Sequence, residues 1–188
     1  MGQLASHFFF ALSLPQETKD AIKEYRDYLQ KVFPFSRWVH EQDYHITLAF
    51  LGLATEEQLE LAKQKVGHGI SGSSGFSLKI NKLGFFGSEA APRIFWAGVN
   101  SEPQLHTVRD QVFLACENAG FQLETRPFHP HITLARKWQM EEPFPIDTFE
   151  MEKNLHNQLS FTASEVVLYE THLDRTPKYE EIASFKLG

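Results

Sequence analysis

The chain has 188 residues, 42% of them hydrophobic and 13% aromatic, which is enough apolar material for one substantial core. Its formal net charge of −6 argues against a protein that wraps long nucleic acid by bulk electrostatics, because such domains are usually basic. A few local arginines could still bind a short phosphorylated end. The single cysteine, Cys116, excludes an intramolecular disulfide and favours a reducing, cytoplasmic setting.

The N-terminal segment carries two weak membrane signals. Residues 8–14 are apolar but too short to span a bilayer, and no basic residue precedes Lys19, as a signal peptide would require. Residues 1–6 match the myristoylation pattern, but no basic cluster accompanies them and one acyl chain gives only marginal binding. We therefore expect no membrane partner.

The first half of the chain alternates strands and helices. It predicts a strand at residues 7–12, a helix to about residue 32, an extended piece at 37–39, a strand at 45–50 and a helix ending near 66. Ser13 is the expected N-cap of the first helix, with Pro15 in its first turn. Thr55 begins a Thr-Glu-Glu-Gln capping box at the second helix.

The second half repeats this pattern with more strands. It predicts strands at residues 76–80, 93–99 and 131–135, a helix from about 103 to 119, and two closing strands, the first at 165–170 after Phe161 and the second at 179–187. Gly120 is placed to end the helix. The polar residues 138–159, which include two prolines, predict an irregular surface excursion. The resulting order of elements, β-α-β-α-β-β-α-β-β-β, predicts an α+β fold.

The pentapeptide His-Ile-Thr-Leu-Ala occurs twice, at residues 45–49 and again at 131–135. An identical internal repeat indicates a repeated structural unit, and two distant copies suit a duplicated half better than an array. Because residues two apart on a strand share a face, strict alternation predicts one polar and one apolar side. In the first copy the polar side would carry His45, Thr47 and Ala49, and the apolar side Ile46, Leu48 and Phe50.

A single His-x-Thr on a strand would be weak support for a functional site, because short motifs of this kind are often structural. Two identical copies with their polar residues on matching faces favour function instead. We predict that the two strands together line one cleft, with His45 and His131 facing each other and Thr47 and Thr133 beside them.

Three residues next to the motifs are further candidates. Arg136 ends the second motif and is a candidate phosphate ligand, although strict alternation would turn it away from the cleft unless the strand ends or twists there. Tyr44 and Phe128 adjoin the motif segments and are candidates for stacking on a nucleic acid base. Packing in the core or at a rim is the ordinary role of such aromatic residues.

His129 lies two residues before His131 and would share its face, which raises the possibility of a metal pair. The first motif has no second histidine at that spacing, and no acidic partner follows the second motif. We therefore expect a structural role for His129 and no metal at the site.

Several segments together resemble the two-histidine (2H) phosphoesterase superfamily, and most closely its RNA 2′,3′-cyclic phosphodiesterase branch, historically called 2′–5′ RNA ligases. The matching segments are residues 8–15, 45–52, 93–99, 126–136 and 168–170 with Tyr179, so the similarity covers nearly the whole chain. The resemblance implies a bilobal fold of two pseudo-symmetric antiparallel lobes, with helices on the outside and a central cleft. Residues 1–188 would then form a single two-lobed domain with one motif in each lobe.

The resemblance also implies an activity. The expected reaction is hydrolysis of 2′,3′-cyclic phosphodiester ends of RNA or nucleotides to 2′-phosphomonoesters, with His45 as proton donor and His131 as proton acceptor. Histidine suits either role because its unperturbed pKa is about 6.5, and the threonine hydroxyls can donate to the non-bridging oxygens. The scheme needs no metal or other cofactor, and we expect a monomer that can also run the reverse ligation at high product concentration.

Three alternatives remain open at this point. A catalytically idle module could bind RNA ends or nucleotides in the same cleft. A 2H phosphoesterase could act on another cyclic or 2′–5′ phosphodiester. A metal hydrolase could use His129 and His131.

Overall fold

The computed structural model describes residues 5–188, so most of the myristoylation pattern at residues 1–6 lies outside the described residues. The elements are β1 (Phe8–Ser13), α1 (Gln16–Val32), β2 (Arg37–Trp38), a 3₁₀ turn (Glu41–Asp43), β3 (His45–Gly52), α2 (Glu56–Gly69), β4 (Phe76–Gly87), β5 (Pro92–Val99), α3 (Pro103–Asn118), β6 (His131–Arg136), α4 (Ile146–Glu152), β7 (Asn154–Ala163), β8 (Glu165–Thr171) and β9 (Tyr179–Lys186). None of the helices within residues 5–188 has the length and apolar character to cross a membrane.

The strands form one open antiparallel sheet in the order β7-β4-β5-β6-β3-β1-β8-β9, with β2 paired to β6. The motif strands β3 and β6 lie side by side at the centre, where Ile46 is paired with Ile132. Outward from this centre, β1, β8 and β9 on one side correspond to β5, β4 and β7 on the other. The predicted antiparallel α+β fold is confirmed, and the division into two equivalent lobes stays a prediction.

One large core joins the two halves of the sheet. All four helices contribute buried side chains to it, including Leu29 from α1 and Phe149 from α4. Helix α1 follows β1 but contacts β7, whereas α3 follows β5 and contacts β3. Each of these helices therefore packs on the half of the sheet opposite to the strand that precedes it, which ties the halves together.

The other face of the sheet carries a small apolar cluster and, beside the second motif, the packed rings of Phe86 and Trp96. Phe9, Ala11, Val167 and Tyr169 form this cluster, and Tyr179 packs against it. Because the helices cover the opposite face, the polar side chains of β3 and β6 remain partly exposed on this side.

The local predictions had mixed outcomes. The capping box at Thr55 is present, and Gly120 follows the end of α3 with a φ of +92°. Ser13 is the last residue of β1, and Pro15 occupies the N-cap of α1 without a side-chain hydrogen bond. The expected excursion at residues 138–159 was wrong, because it contains α4 and the start of the edge strand β7.

Candidate active site

An open pocket of about 290 Å3 lies over the junction of β3 and β6 on the face without helices. All four polar motif residues line it: His45, Thr47, His131 and Thr133. The other lining residues are His7, Phe9, Val39, Asp43, Phe50, Ile94, Arg136, Thr171, Leu173, Lys178 and Tyr179. The structure therefore brings the two motifs together in one site.

Both histidines are oriented by the same backbone contact. The Nδ1 of His45 lies 2.7 Å from the carbonyl oxygen of Asp43, and the Nδ1 of His131 lies 2.6 Å from that of His129. A carbonyl can only accept, so Nδ1 must carry a proton in each ring. In the neutral rings this leaves the lone pair on Nε2, which is the nitrogen available for proton transfer. The Nε2 of His45 lies 3.0 Å from the hydroxyl oxygen of Thr47, which can donate to it.

A β-bulge follows the threonine in each motif. On β3, Thr47 faces Ala11 and Ala49 faces Phe10, which leaves Leu48 as the extra residue. The bulge turns Ala49 into the core, at 4% exposure, and turns Phe50 toward the pocket. The strict alternation expected from the sequence was therefore wrong beyond Leu48.

The same bulge occurs on β6. There, Thr133 faces Trp96 and Ala135 faces Phe95, so Leu134 is the extra residue. Ala135 is fully buried, and Arg136 lines the pocket. The bulge thus supplies the change of direction that Arg136 needed in order to reach the cleft.

Aromatic side chains enclose His45. Its ring centroid lies 4.8 Å from that of Phe9, 5.2 Å from Tyr179 and 5.9 Å from Tyr169. Burial disfavours the charged imidazolium and lowers the pKa of His45 to about 4, and the neighbouring positive charge of Arg136 acts in the same direction.

His131 is also partly enclosed. Phe86 lies 5.0 Å and Trp96 6.1 Å from its ring, measured between centroids. Burial lowers the pKa of His131, and the charges of His129 and Arg136 lower it further. Both catalytic candidates therefore favour the neutral form at neutral pH when no anion occupies the pocket.

Asp43 is a buried carboxylate that sequence reasoning missed. It is 5% exposed, and its two oxygens accept the backbone N–H groups of Lys178 and Tyr179 at 3.1 Å each. These bonds hold the start of β9 against the first motif and bring Lys178 to the pocket. Its position two residues before His45 was the one feature of the sequence that could have marked Asp43 as part of the site. Its hydrogen-bond partners could not be recognised, because they lie far along the chain.

Tyr44 and Phe128 are not among the residues that line this pocket, so their assignment as substrate-binding residues stays a prediction that the geometry does not favour. Tyr44 is only 1% exposed, and burial raises the pKa of its hydroxyl to about 12. Phe128 packs against His106, with ring centroids 5.5 Å apart, and against the guanidinium of Arg109. Tyr44 is therefore a core residue, and Phe128 is a partly buried residue that packs on its neighbours.

His129 packs as an aromatic residue rather than beside a carboxylate. Its ring lies 5.0 Å from Trp96 and 5.3 Å from Phe86, and its carbonyl orients His131. Within residues 5–188, the one group of three side chains close enough to hold a metal ion consists of Glu170, His172 and Glu180. Neither His129 nor His131 belongs to this group, so the geometry gives no support to a metal hydrolase built on them.

The fold and the paired histidines define a class of protein, and comparison with known families agrees. The family described as LigT like Phosphoesterase matches residues 12–96 and 98–179. The chain therefore belongs to the LigT-like family of two-histidine phosphoesterases.

Several individual relatives are similar over most of the chain. An RNA 2′,3′-cyclic phosphodiesterase of Geobacillus stearothermophilus is 44% identical over 182 residues, which cover 97% of this chain and 57% of the relative. An RNA 2′,3′-cyclic phosphodiesterase of Bacillus subtilis (strain 168) is 36% identical over 189 residues, which cover 100% of both chains. The crystal structure of E. coli LigT complexed with 3′-AMP has a TM-score of 0.79 at 26% identity, covering 97% of this chain and 98% of the other.

Proposed function

We propose that this chain hydrolyses the 2′,3′-cyclic phosphodiester ends of RNA or nucleotides to 2′-phosphomonoesters. The observation that carries the proposal is the convergence in one pocket of two histidines, each with Nδ1 fixed by a backbone carbonyl. The names of the Geobacillus and Bacillus relatives support the substrate class.

The proposed mechanism assigns one proton transfer to each histidine. Nε2 of His131 takes a proton from water, and the resulting hydroxide attacks phosphorus in line with the 3′-oxygen. Nε2 of His45 donates its proton to that 3′-oxygen as the P–O3′ bond breaks, which leaves the phosphate on O2′. Thr47, Thr133 and Arg136 donate to the non-bridging oxygens, where negative charge develops.

Binding of the substrate must supply the protonated histidine that this mechanism requires. Burial keeps the pKa of His45 at about 4 in the empty pocket, so its proton-donor form is scarce at neutral pH. An anionic phosphate beside the ring favours the imidazolium and raises the pKa again. We therefore infer that the pocket takes up a proton together with the cyclic phosphate.

The proposal extends to the chain as a whole. It acts as one two-lobed, monomeric and cytoplasmic domain that needs no metal cofactor. The packing of α1 on β7 and of α3 on β3 supports a single unit. The single free cysteine, Cys116, supports a reducing compartment, because the chain has no second cysteine with which to form an intramolecular disulfide.

The test is a substrate panel with identified products. Adenosine 2′,3′-cyclic phosphate, a 3′,5′-cyclic nucleotide and a 2′–5′-linked dinucleotide are incubated with the wild-type protein and with His131→Ala. We expect adenosine 2′-phosphate from the first substrate with the wild-type protein alone. Turnover of only one of the other two would assign a different phosphodiester, and tight binding without turnover would leave an idle binding module. Incubating RNA that ends in a 2′,3′-cyclic phosphate with RNA carrying a 5′-hydroxyl tests 2′–5′ ligation, because the 5′-hydroxyl can replace water as the nucleophile that breaks the P–O3′ bond.

A further inference from the structure

Two arginines face each other across the strand pair next to the pocket. Arg37 on β2 lies directly opposite Arg136 on β6. Directly opposed residues of an antiparallel pair point to the same face, with Cβ atoms about 4.5–5.5 Å apart, and like charges there are destabilising. In a chain with a net charge of −6, this placement calls for a physical reason.

Among the described residues, no carboxylate forms a salt bridge with Arg37 or Arg136. Asp43 lies in the same cavity, and its two oxygens accept the backbone N–H groups of Lys178 and Tyr179. Glu41 is engaged by Lys23 and Arg26, at 2.8 Å and 3.2 Å, and Glu180 is engaged by Arg175 at 2.7 Å.

A third cation adds to the unbalanced charge. Lys178 lines the same region, and its pKa is lowered chiefly by burial and then by the positive charge of Arg136, with the Asp43 carboxylate acting in the opposite direction. Arg37 lowers the pKa of Lys178 in the same way, so the three side chains are electrostatically coupled.

The three cations lie along a groove that continues out of the catalytic pocket. A second cavity of about 590 Å3 contains Arg37, Arg136 and Lys178. It shares Val39, Asp43, Arg136 and Lys178 with the catalytic pocket, so the two cavities are continuous. Arg37 lines only the outer cavity, which makes it the residue that distinguishes the outer part of the groove from the catalytic part.

We propose that this outer cavity, the cation groove, binds the phosphodiester that links the terminal nucleotide to the preceding one. The inference rests on the proposed function, because the cyclic phosphate must first lie between His45 and His131. The next phosphate of an RNA chain is attached to C5′ of the same ribose, so it can enter an adjoining cavity. The favoured substrate is then an oligonucleotide end rather than a free 2′,3′-cyclic nucleotide.

The test compares three substrates that differ only beyond the terminal nucleoside. They are adenosine 2′,3′-cyclic phosphate, the dinucleotide ApA with the same cyclic end, and that dinucleotide with an uncharged methylphosphonate linkage. We expect the dinucleotide to have a kcat/KM roughly tenfold above the mononucleotide, as for one charge-assisted contact, and the methylphosphonate to lose this advantage. The slope of log kcat/KM against log salt should also be steeper for the charged dinucleotide, by about 0.7.

The variant that isolates the groove is Arg37→Ala. It should remove most of the advantage of the dinucleotide and leave the mononucleotide within about twofold of the wild type, since Arg37 lies outside the catalytic pocket. Arg37→Lys should restore part of the advantage, because the charge returns without the planar fork. Lys65→Ala on α2 is the matched control and should leave the ratio of the two kcat/KM values unchanged.

The outcomes separate this inference from the proposed function. Equal kcat/KM for mononucleotide and dinucleotide would overturn the cation groove and leave the cyclic phosphodiesterase in place. If the methylphosphonate dinucleotide keeps the higher kcat/KM, the cation groove would also be overturned, because contact with the second nucleoside rather than with the phosphate charge would then explain the advantage. If neither cyclic substrate reacts, equilibrium binding of adenosine 2′-phosphate and of ApA 2′-phosphate applies the same comparison without turnover. Equal Kd values in wild type and Arg37→Ala would then reject the groove.

Discussion

The two motif strands share a backbone arrangement and differ in what surrounds it. In β3 and in β6, the histidine donates through Nδ1 to the carbonyl two residues earlier, and the leucine after the threonine forms a bulge. The residue beyond the bulge is Phe50 in one strand and Arg136 in the other, although both line the pocket. The repeat therefore fixes where side chains point, and the residues outside the repeat decide their chemistry.

The two histidines differ in the side chains that surround their rings. His45 is enclosed by three aromatic rings and accepts a hydrogen bond from Thr47. Within residues 5–188, His131 has no corresponding bond from Thr133, and its neighbours include Trp96 and Phe86. The larger aromatic enclosure lies around His45 and Arg136 lies on the strand of His131, so an almost symmetric frame holds two unequal proton-transfer groups.

The strongest test of this comparison removes each histidine in turn. His45→Ala and His131→Ala should each lower kcat by about 10²-fold or more if each ring transfers a proton in the transition state. The double variant should cost less than the product of the single effects, because groups that act together are not additive. His68→Ala on α2 is the control, and a nearly wild-type rate for either single variant on the cyclic substrate would refute two-histidine catalysis.

The roles of the two histidines are separated by the leaving group. A nitrophenyl phosphodiester releases an anion that needs no protonation, so the variant lacking the acid should recover much of its rate on it. We expect recovery for His45→Ala and none for His131→Ala. The reverse result would exchange the two roles and keep the phosphodiesterase mechanism.

The next largest effect compares the two residues beyond the bulges. Arg136→Ala should lower kcat/KM roughly 10- to 100-fold, because it removes a charged donor to the phosphate. Phe50→Ala, at the equivalent position, should stay within about threefold of the wild type, since the side chain offers no hydrogen bond. Steady-state kinetics on the mononucleotide substrate measures both. A larger loss for Phe50→Ala would show that apolar contact, rather than charge, governs this edge of the pocket.

The sequence revealed the repeat and its polar face, but only as far as the threonines. Period-two alternation holds from His45 to Leu48 and from His131 to Leu134, because an extended chain alone determines it. The bulges depend on how β3 aligns with β1 and how β6 aligns with β5. That alignment is set by packing between strands, which a single strand's sequence does not encode.

Contacts between segments that are distant in the chain were also not predicted from the sequence. The backbone N–H groups of Lys178 and Tyr179 donate to the Asp43 carboxylate, which lies more than 100 residues earlier in the chain. Because these donors belong to the backbone, the pattern of side chains in the sequence does not reveal them. The strand β7 was missed because it lies at the edge of the sheet and is largely polar. By contrast, the capping box at Thr55 was predictable, because all its bonds are local.

The pH dependence offers a smaller but sharper test of the electrostatic difference. Since the pKa of His45 is about 4 and that of His131 is also lowered, both limbs of the kcat/KM profile should lie below about pH 6.5. The kcat profile should lie at higher pH, because the bound phosphate raises the pKa values. Arg136→Ala should move the kcat/KM profile toward higher pH, since this positive charge lowers both pKa values. A wild-type kcat/KM optimum above pH 7 would contradict the lowered pKa values of the free site.

The smallest expected effect is that of chelation, which tests whether both halves use the same kind of chemistry. A metal held by His129 and His131 would make the second half a metal centre and leave His45 alone as an acid–base group. The structure does not favour such a metal centre, because Nδ1 of His131 is engaged by a carbonyl and the ring of His129 packs on Trp96.

Two histidines, two hydroxyls and Arg136 already supply proton transfer and charge stabilisation. We therefore expect activity within about twofold of the untreated enzyme after incubation with EDTA and removal of the chelator. Loss of activity that zinc or manganese restores would make the two halves chemically different and would replace the paired-histidine mechanism with a metal-assisted one.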